Sequence, residues 1–145
     1  MDLIKQSVGI DISKSSFTAC ICNRGAGDEL RYSEAKGFKN DKTGFNQLLR
    51  WVNKTASKQA DLVFLMEATG VYYESMAYHL HKVKKTVHVV LPNTSKHFFS
   101  SLNIKTKTDE VDAKVLSRFG VERTHKAWQP PSKVLQELRN ITRYY

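Results

Sequence analysis

Four carboxylates stand where a carboxylate is costly. Asp11 interrupts the apolar alternation of Val8, Ile10 and Ile12. Along a strand those three share one face, and Gly9, Asp11 and Ser13 share the other. Glu67 closes the run Leu62-Val63-Phe64-Leu65-Met66, whose unbroken apolarity is that of a strand buried on both faces of a sheet. Asp109 and Asp112 are three apart, hence on one helix face, in the same stripe as Leu116 and Phe119.

Each acid alone has an ordinary explanation. Asp109 in a first helical turn complements the macrodipole by about 0.3–1 kcal/mol, Glu67 can be a loop acid, and Asp11 can accept backbone hydrogen bonds. Their joint pattern is harder to explain that way. Two ionised carboxylates about 4 Å apart repel by about 4 kcal/mol at an effective dielectric of about 20, so acids from separate segments converge only around cations. No lysine or arginine stands near Asp11 in sequence to pair with it, because Lys14 has the parity of the apolar side. An all-oxygen donor set selects magnesium or manganese over zinc. Two such ions about 3.5–4 Å apart can clamp the attacking and leaving oxygens of an in-line phosphoryl displacement.

The elements that must position these acids can be read in order. The first strand covers Ser7 to Lys14, and Ser15-Ser16 turns the chain into a second strand, Phe17 to Cys22. After the turn cluster Asn23 to Asp28, a third strand over Glu29 to Ala35 completes an antiparallel meander. Asp41 or Thr43 can cap a helix with the stripe Phe45, Leu48, Leu49 and Val52. The strand ending at Glu67, a helix bearing Met76, Leu80 and Val83, and the strand Thr86 to Leu91 form a parallel pair with a right-handed crossover. Asn93 to Asn103 fits helix or loop. A helix begins at Thr108, Ala127 to Pro131 breaks the chain, and Ser132 caps a last helix. In that helix Val134, Leu138, Ile141 and Tyr145 are spaced as in a coiled-coil seam.

Charge points to the substrate class. The chain has 145 residues, enough for one domain with a real core, and its 23 basic and 14 acidic residues leave a formal charge of +9. That balance predicts a polyanionic partner, nucleic acid before membrane surface. Between Ser75 and Thr108 no acid intervenes among Lys82, Lys84, Lys85, Lys96, Lys105 and Lys107. Cys20 and Cys22 are too close in sequence for an unstrained bridge and are expected to be buried free thiols. No apolar run approaches the roughly 18 residues of a membrane span and no signal-peptide pattern opens the chain, so a cytoplasmic protein is expected.

A meander feeding a parallel βαβ unit, followed by a helix that returns acids to the sheet, resembles the ribonuclease-H-like fold of nucleases and transposases. The expected class is therefore α/β, a mixed sheet flanked by helices. Gly9-Ile10-Asp11-Ile12-Ser13-Lys14, Met66-Glu67-Ala68-Thr69-Gly70-Val71-Tyr72 and Lys107-Thr108-Asp109-Glu110-Val111-Asp112-Ala113 with Leu116 resemble, in order, the DEDD transposases of the IS110 insertion-sequence family. The resemblance implies that Asp11, Glu67, Asp109 and Asp112 are the catalytic, metal-binding tetrad of a RuvC-like domain using Mg²⁺ or Mn²⁺. It implies DNA as substrate, a structured guide RNA as partner, and a further C-terminal domain that bears a nucleophilic serine. Residues 1–126 are then the catalytic domain, and 127–145 are a linker and the start of a helix serving oligomerisation. Lys14, Lys96, Lys105 and Lys107 are the candidate contacts to phosphate or RNA backbone.

Two other readings compete. Asp11-Ile12-Ser13-Lys14-Ser15 also resembles the phosphate loop of actin-like sugar kinases, but Ser13 stands where close phosphate approach favours glycine. A binding module without chemistry would use the same basic stretch, with Phe98 and Phe99 as base-stacking candidates if they are not core. Such a module would gain nothing from converging four negative charges.

Overall fold

Alternation along the first strand decides the whole layering. The computed structural model describes residues 2–132. Strand β1 (Leu3–Ile12) is central, antiparallel to β2 (Ser16–Gly25) on one side and parallel to β5 (Leu62–Glu67) on the other. Strands β3 (Leu30–Tyr32) and β4 (Lys36–Lys39) both pair with β2, and β6 (Thr86–Val90) extends the sheet beyond β5 in parallel. The mixed α/β sheet expected from the sequence is the one observed, in the order β3-β2-β1-β5-β6.

Val8, Ile10 and Ile12 face the larger core. There they meet Phe17, Ala19 and Ile21 of β2, Phe64 and Met66 of β5, and the apolar stripes of α1 (Lys42–Thr55) and α2 (Glu74–Lys82). On the other face Leu65 and Val90 pack with Phe98 of α3 (Pro92–Ser101) and with Val115, Leu116 and Phe119 of α4 (Asp109–Glu122). Helix α4 runs antiparallel to β1. A Cβ at Gly9 would overlap the α4 backbone at Ala113 and Ser117, and one at Gly120 would overlap the Ser7 hydroxyl. The same direction brings the N-terminus of α4 to the end of β1 that carries Asp11.

Several local expectations are corrected. The strand expected over Glu29 to Ala35 shortens to Leu30–Tyr32, after which Ser33 bonds Ile21 with both its backbone N–H and its hydroxyl, and β4 (Lys36–Lys39) lies beyond the expected range. Strand β1 starts earlier, where buried Gln6 makes three hydrogen bonds to the 57–60 loop. It stops at Ile12, so Lys14 lies in the exposed Ser13–Ser16 turn and strand parity does not apply to it. Val83 follows the end of α2 and is 42% exposed, not part of its buried stripe. The 93–103 stretch, open between helix and loop, is helix as far as Ser101 and turn beyond it, opened by Pro92 in the first turn, where a missing N–H costs nothing. Asp41, not Thr43, caps α1 by accepting from the Gly44 N–H at 2.7 Å.

Beyond α4 the chain turns back along β6. Trp128 N–H donates to Val87 O at 2.7 Å, and its ring stands edge-on to Tyr78 at 5.1 Å. The helix expected from Ser132 lies outside the described residues. Cys20 and Cys22 are buried and unbridged, and burial pushes the Cys22 thiol up to about 12. No helix among the described residues is long and apolar enough to cross a membrane.

Candidate active site

Parallel pairing brings the first two acids together. The ladder between β1 and β5 ends at Ile10 opposite Met66, and the next residues along the two strands are Asp11 and Glu67. Both follow the parity of Gly9 and Leu65, the face covered by α4. Thr108 caps α4, its hydroxyl accepting from the Val111 N–H at 3.2 Å, and so fixes the helical phase that turns Asp112 toward the sheet. Asp11, Glu67 and Asp112 line one cleft of about 250 Å³, with Pro92, Ser95, Lys96, Phe99, Lys107 and Leu116. Asp109, at the first position of α4, is exposed at the edge of this group and within hydrogen-bonding reach of Asp11.

The electrostatics are those of crowded acids. Asp11 is pushed up to about 7, first by burial, then by the charge of Asp112, a hydrogen bond and charge from Asp109, and the charge of Glu67. Asp112 is also raised, by burial first; Lys107 opposes this, while Asp109 and Glu67 add to it. Asp112 Oδ1 is buried and has no hydrogen-bond partner. A buried, unpaired carboxylate oxygen facing like charges is suited to a cation or a strong donor.

The donor set fits Mg²⁺ or Mn²⁺ for these reasons: it is all oxygen, burial and the neighbouring acids raise the affinity of Asp11 and Asp112 for protons, and one oxygen is orphaned. Among the described residues no three such side chains stand close enough to hold an ion as they are.

The four lysines divide. Lys96 and Lys107 line the cleft, whereas Lys14 and Lys105 are exposed and outside its lining. Lys107 Nζ also lies 4.9 Å from the Phe99 ring centre. Phe98 is core, stacked on Phe119 at 4.4 Å, which removes it as a base-stacking candidate. The rest of the acid-free stretch goes elsewhere: Lys82, Lys84 and Lys85 end α2 and precede β6, at the opposite end of the parallel strands.

Sequence reasoning missed two residues. Ser95 Oγ donates to Glu67 Oε2 at 2.6 Å, and Thr69 Oγ1 donates to Glu67 Oε1 at 3.1 Å. Thr69 is two residues from Glu67 and could have been suspected. Ser95 is 28 residues away on a helix that local patterning did not settle.

The arrangement can be compared with known proteins. A family model described as the IS110 DEDD transposase matches residues 8–145. The chain belongs to the IS110 family of DEDD transposases. Its relatives include the pilin gene-inverting proteins of Moraxella lacunata and Moraxella bovis, each 34% identical over 132 residues. The match covers 88% of this chain but 38% of each relative, so this IS110-family chain spans well under half of their length. Thermus thermophilus RuvC is similar in fold, with a TM-score of 0.58 at 11% identity over 85% of this chain and 99% of RuvC. The same protein solved in complex with a Holliday junction substrate gives 0.56, with the same identity and coverage. The RuvC-like fold of this IS110-family chain is thereby established.

Proposed function

We propose that this domain is the metal-dependent catalytic part of a DNA transposase or site-specific recombinase, acting on DNA phosphodiesters. The observation that carries the reading is the meeting of Asp11, Glu67 and Asp112 in one cleft, with a buried Asp112 oxygen left unpartnered. Asp11 and Glu67 present carboxylate oxygens from adjacent strand ends, Asp112 presents its own from α4, and Asp109 completes the set at the mouth. Bound by these four, Mg²⁺ or Mn²⁺ would polarise the scissile phosphate and help activate the attacking or leaving oxygen. Lys96 and Lys107 place positive charge beside the acids, where a phosphate must approach. Lys14 and Lys105, exposed outside the cleft lining, are the further candidates for contact with phosphate or RNA backbone.

Family membership supports the finer parts of the reading. These are a structured guide RNA as partner, completion of recombination by a further domain, self-association through the helix expected from Ser132, and work in the bacterial cytoplasm.

Melting curves test the metal. At a concentration 100 times its dissociation constant, Mg²⁺ or Mn²⁺ should stabilise the chain by about 2.7 kcal/mol, and Asp112→Ala should erase most of that gain. Curves indifferent to both ions in the parent would reject the reading and leave a polyanion-binding module. DNA binding tests the lysines. Lys96→Ala and Lys107→Ala should each weaken binding alike on all sequences and reduce the slope of log affinity against log salt by about 1. Unchanged slopes would remove them from the interface.

A further inference from the structure

The two hydroxyls on Glu67 are unequal. Thr69 is exposed, in the loop directly after β5, and its hydrogen bond to Oε1 is 3.1 Å long. Ser95 is 2% exposed, in the first half of α3, and reaches Oε2 at 2.6 Å. Its oxygen also lies 3.1 Å from the carbonyl of Pro92. A serine has one proton and both neighbours are acceptors, so only one can receive it. The shorter contact, to a carboxylate, is the charge-assisted one and takes the proton.

The position of Ser95 is itself held. Pro92 sets the first turn of α3, and Phe98, three residues after Ser95, stacks on Phe119 of α4 at 4.4 Å. Helix α4 also carries Asp109 and Asp112. The chain of contacts therefore runs from Glu67 through Ser95 and α3 to the helix that bears the other two acids. A ligating carboxylate tethered in this way keeps its remaining lone pairs directed at the cleft instead of rotating with solvent.

We infer that Ser95 is a positioning residue for Glu67, fixing the carboxylate for metal binding and tying its orientation to the α3–α4 packing. The inference rests on the metal-dependent reading above. It adds a residue to the site without assigning it contact with the reacting atoms.

Mn²⁺ binding to this 145-residue chain, followed by the electron paramagnetic resonance of the free ion, tests it alongside melting without metal. Ser95→Ala should lower Mn²⁺ affinity about 10- to 100-fold while metal-free melting stays close to the parent. Ser95→Thr, which keeps the hydroxyl, should restore affinity to within about threefold of the parent. Ser95→Cys keeps the size but offers a weak donor, so it should share the loss; it decides the matter if the alanine variant does not fold. Parental affinity in Ser95→Ala or Ser95→Cys overturns the inference and leaves the metal site standing. A parent that binds no Mn²⁺ overturns both.

Discussion

Asp11→Asn should melt above the parent at pH 8 in the presence of a chelator, and should no longer respond to Mg²⁺. The first half follows from the sign of the Asp11 shift. Its carboxyl is pushed up to about 7 in the folded chain, against about 3.9 for an unfolded aspartate. Between those values the folded state binds the extra proton, so folding stability falls as pH rises through the window from about 4 to about 7. Above it the penalty is fully present. Asparagine has nearly the same shape and no charge, and escapes the penalty at every pH. The site is partly open to water, so only about 1–2 kcal/mol of the shift should survive screening, or roughly 5 °C. The second half follows because the same charge is what a cation needs. In the parent, Mg²⁺ should stabilise more at pH 8 than at pH 5, where protons compete for Asp11. A parent whose stability in chelator is flat from pH 5 to 8, or an asparagine variant that melts below it at pH 8, would count against the crowded-acid site.

Gly9→Ala should damage fold and site together. The added methyl would overlap the backbone of Ala113 and Ser117 and come within 2.7 Å of the Leu116 carbonyl carbon. Helix backbone cannot rotate aside as a side chain can, so α4 must retreat from β1 by about 1 Å. Overpacking of this kind costs about 3 kcal/mol or more, a loss on the order of 10 °C for a chain this size. Since α4 carries Asp109 and Asp112, the retreat also opens the acid cluster, and a misplacement of about 1 Å at a reacting centre can cost about 100-fold in rate. Gly120→Ala makes the informative contrast. Its methyl would meet the Ser7 hydroxyl, which can turn away, but also the Ser7 Cβ at 2.7 Å, which moves only with the β1 backbone. A loss is expected here too, smaller than at Gly9, where the overlapped atoms are themselves main chain. Equal melting of Gly9→Ala and the parent would mean that β1 and α4 are not in this close contact.

These two glycines mark the boundary between what could be read from the chain and what could not. Alternation in β1, the apolar run of β5 and the helical pattern from Thr108 are local, set by a few neighbouring residues, and the strands and helix they imply are present. The anomaly of Asp11 and Glu67 was equally legible, because an acid ending or interrupting an apolar strand needs no tertiary knowledge to be noticed. The early end of the third strand was not, since it depends on Ser33 meeting Ile21 across the sheet. Nor was the exposure of Val83, decided by where α2 stops rather than by helical period.

Sequence alone determined the residue types of the site and the strands and helix that carry them. The tertiary structure decided their partners. Ser95 reaches Glu67 only because α3 folds back between β6 and α4, and Lys107 rather than Lys14 stands by the acids because of the path of the loop before α4. Short-range periodicity encodes which face of an element is buried. Hydrogen bonds spanning tens of residues depend on the packing direction of whole elements, which no local spacing records.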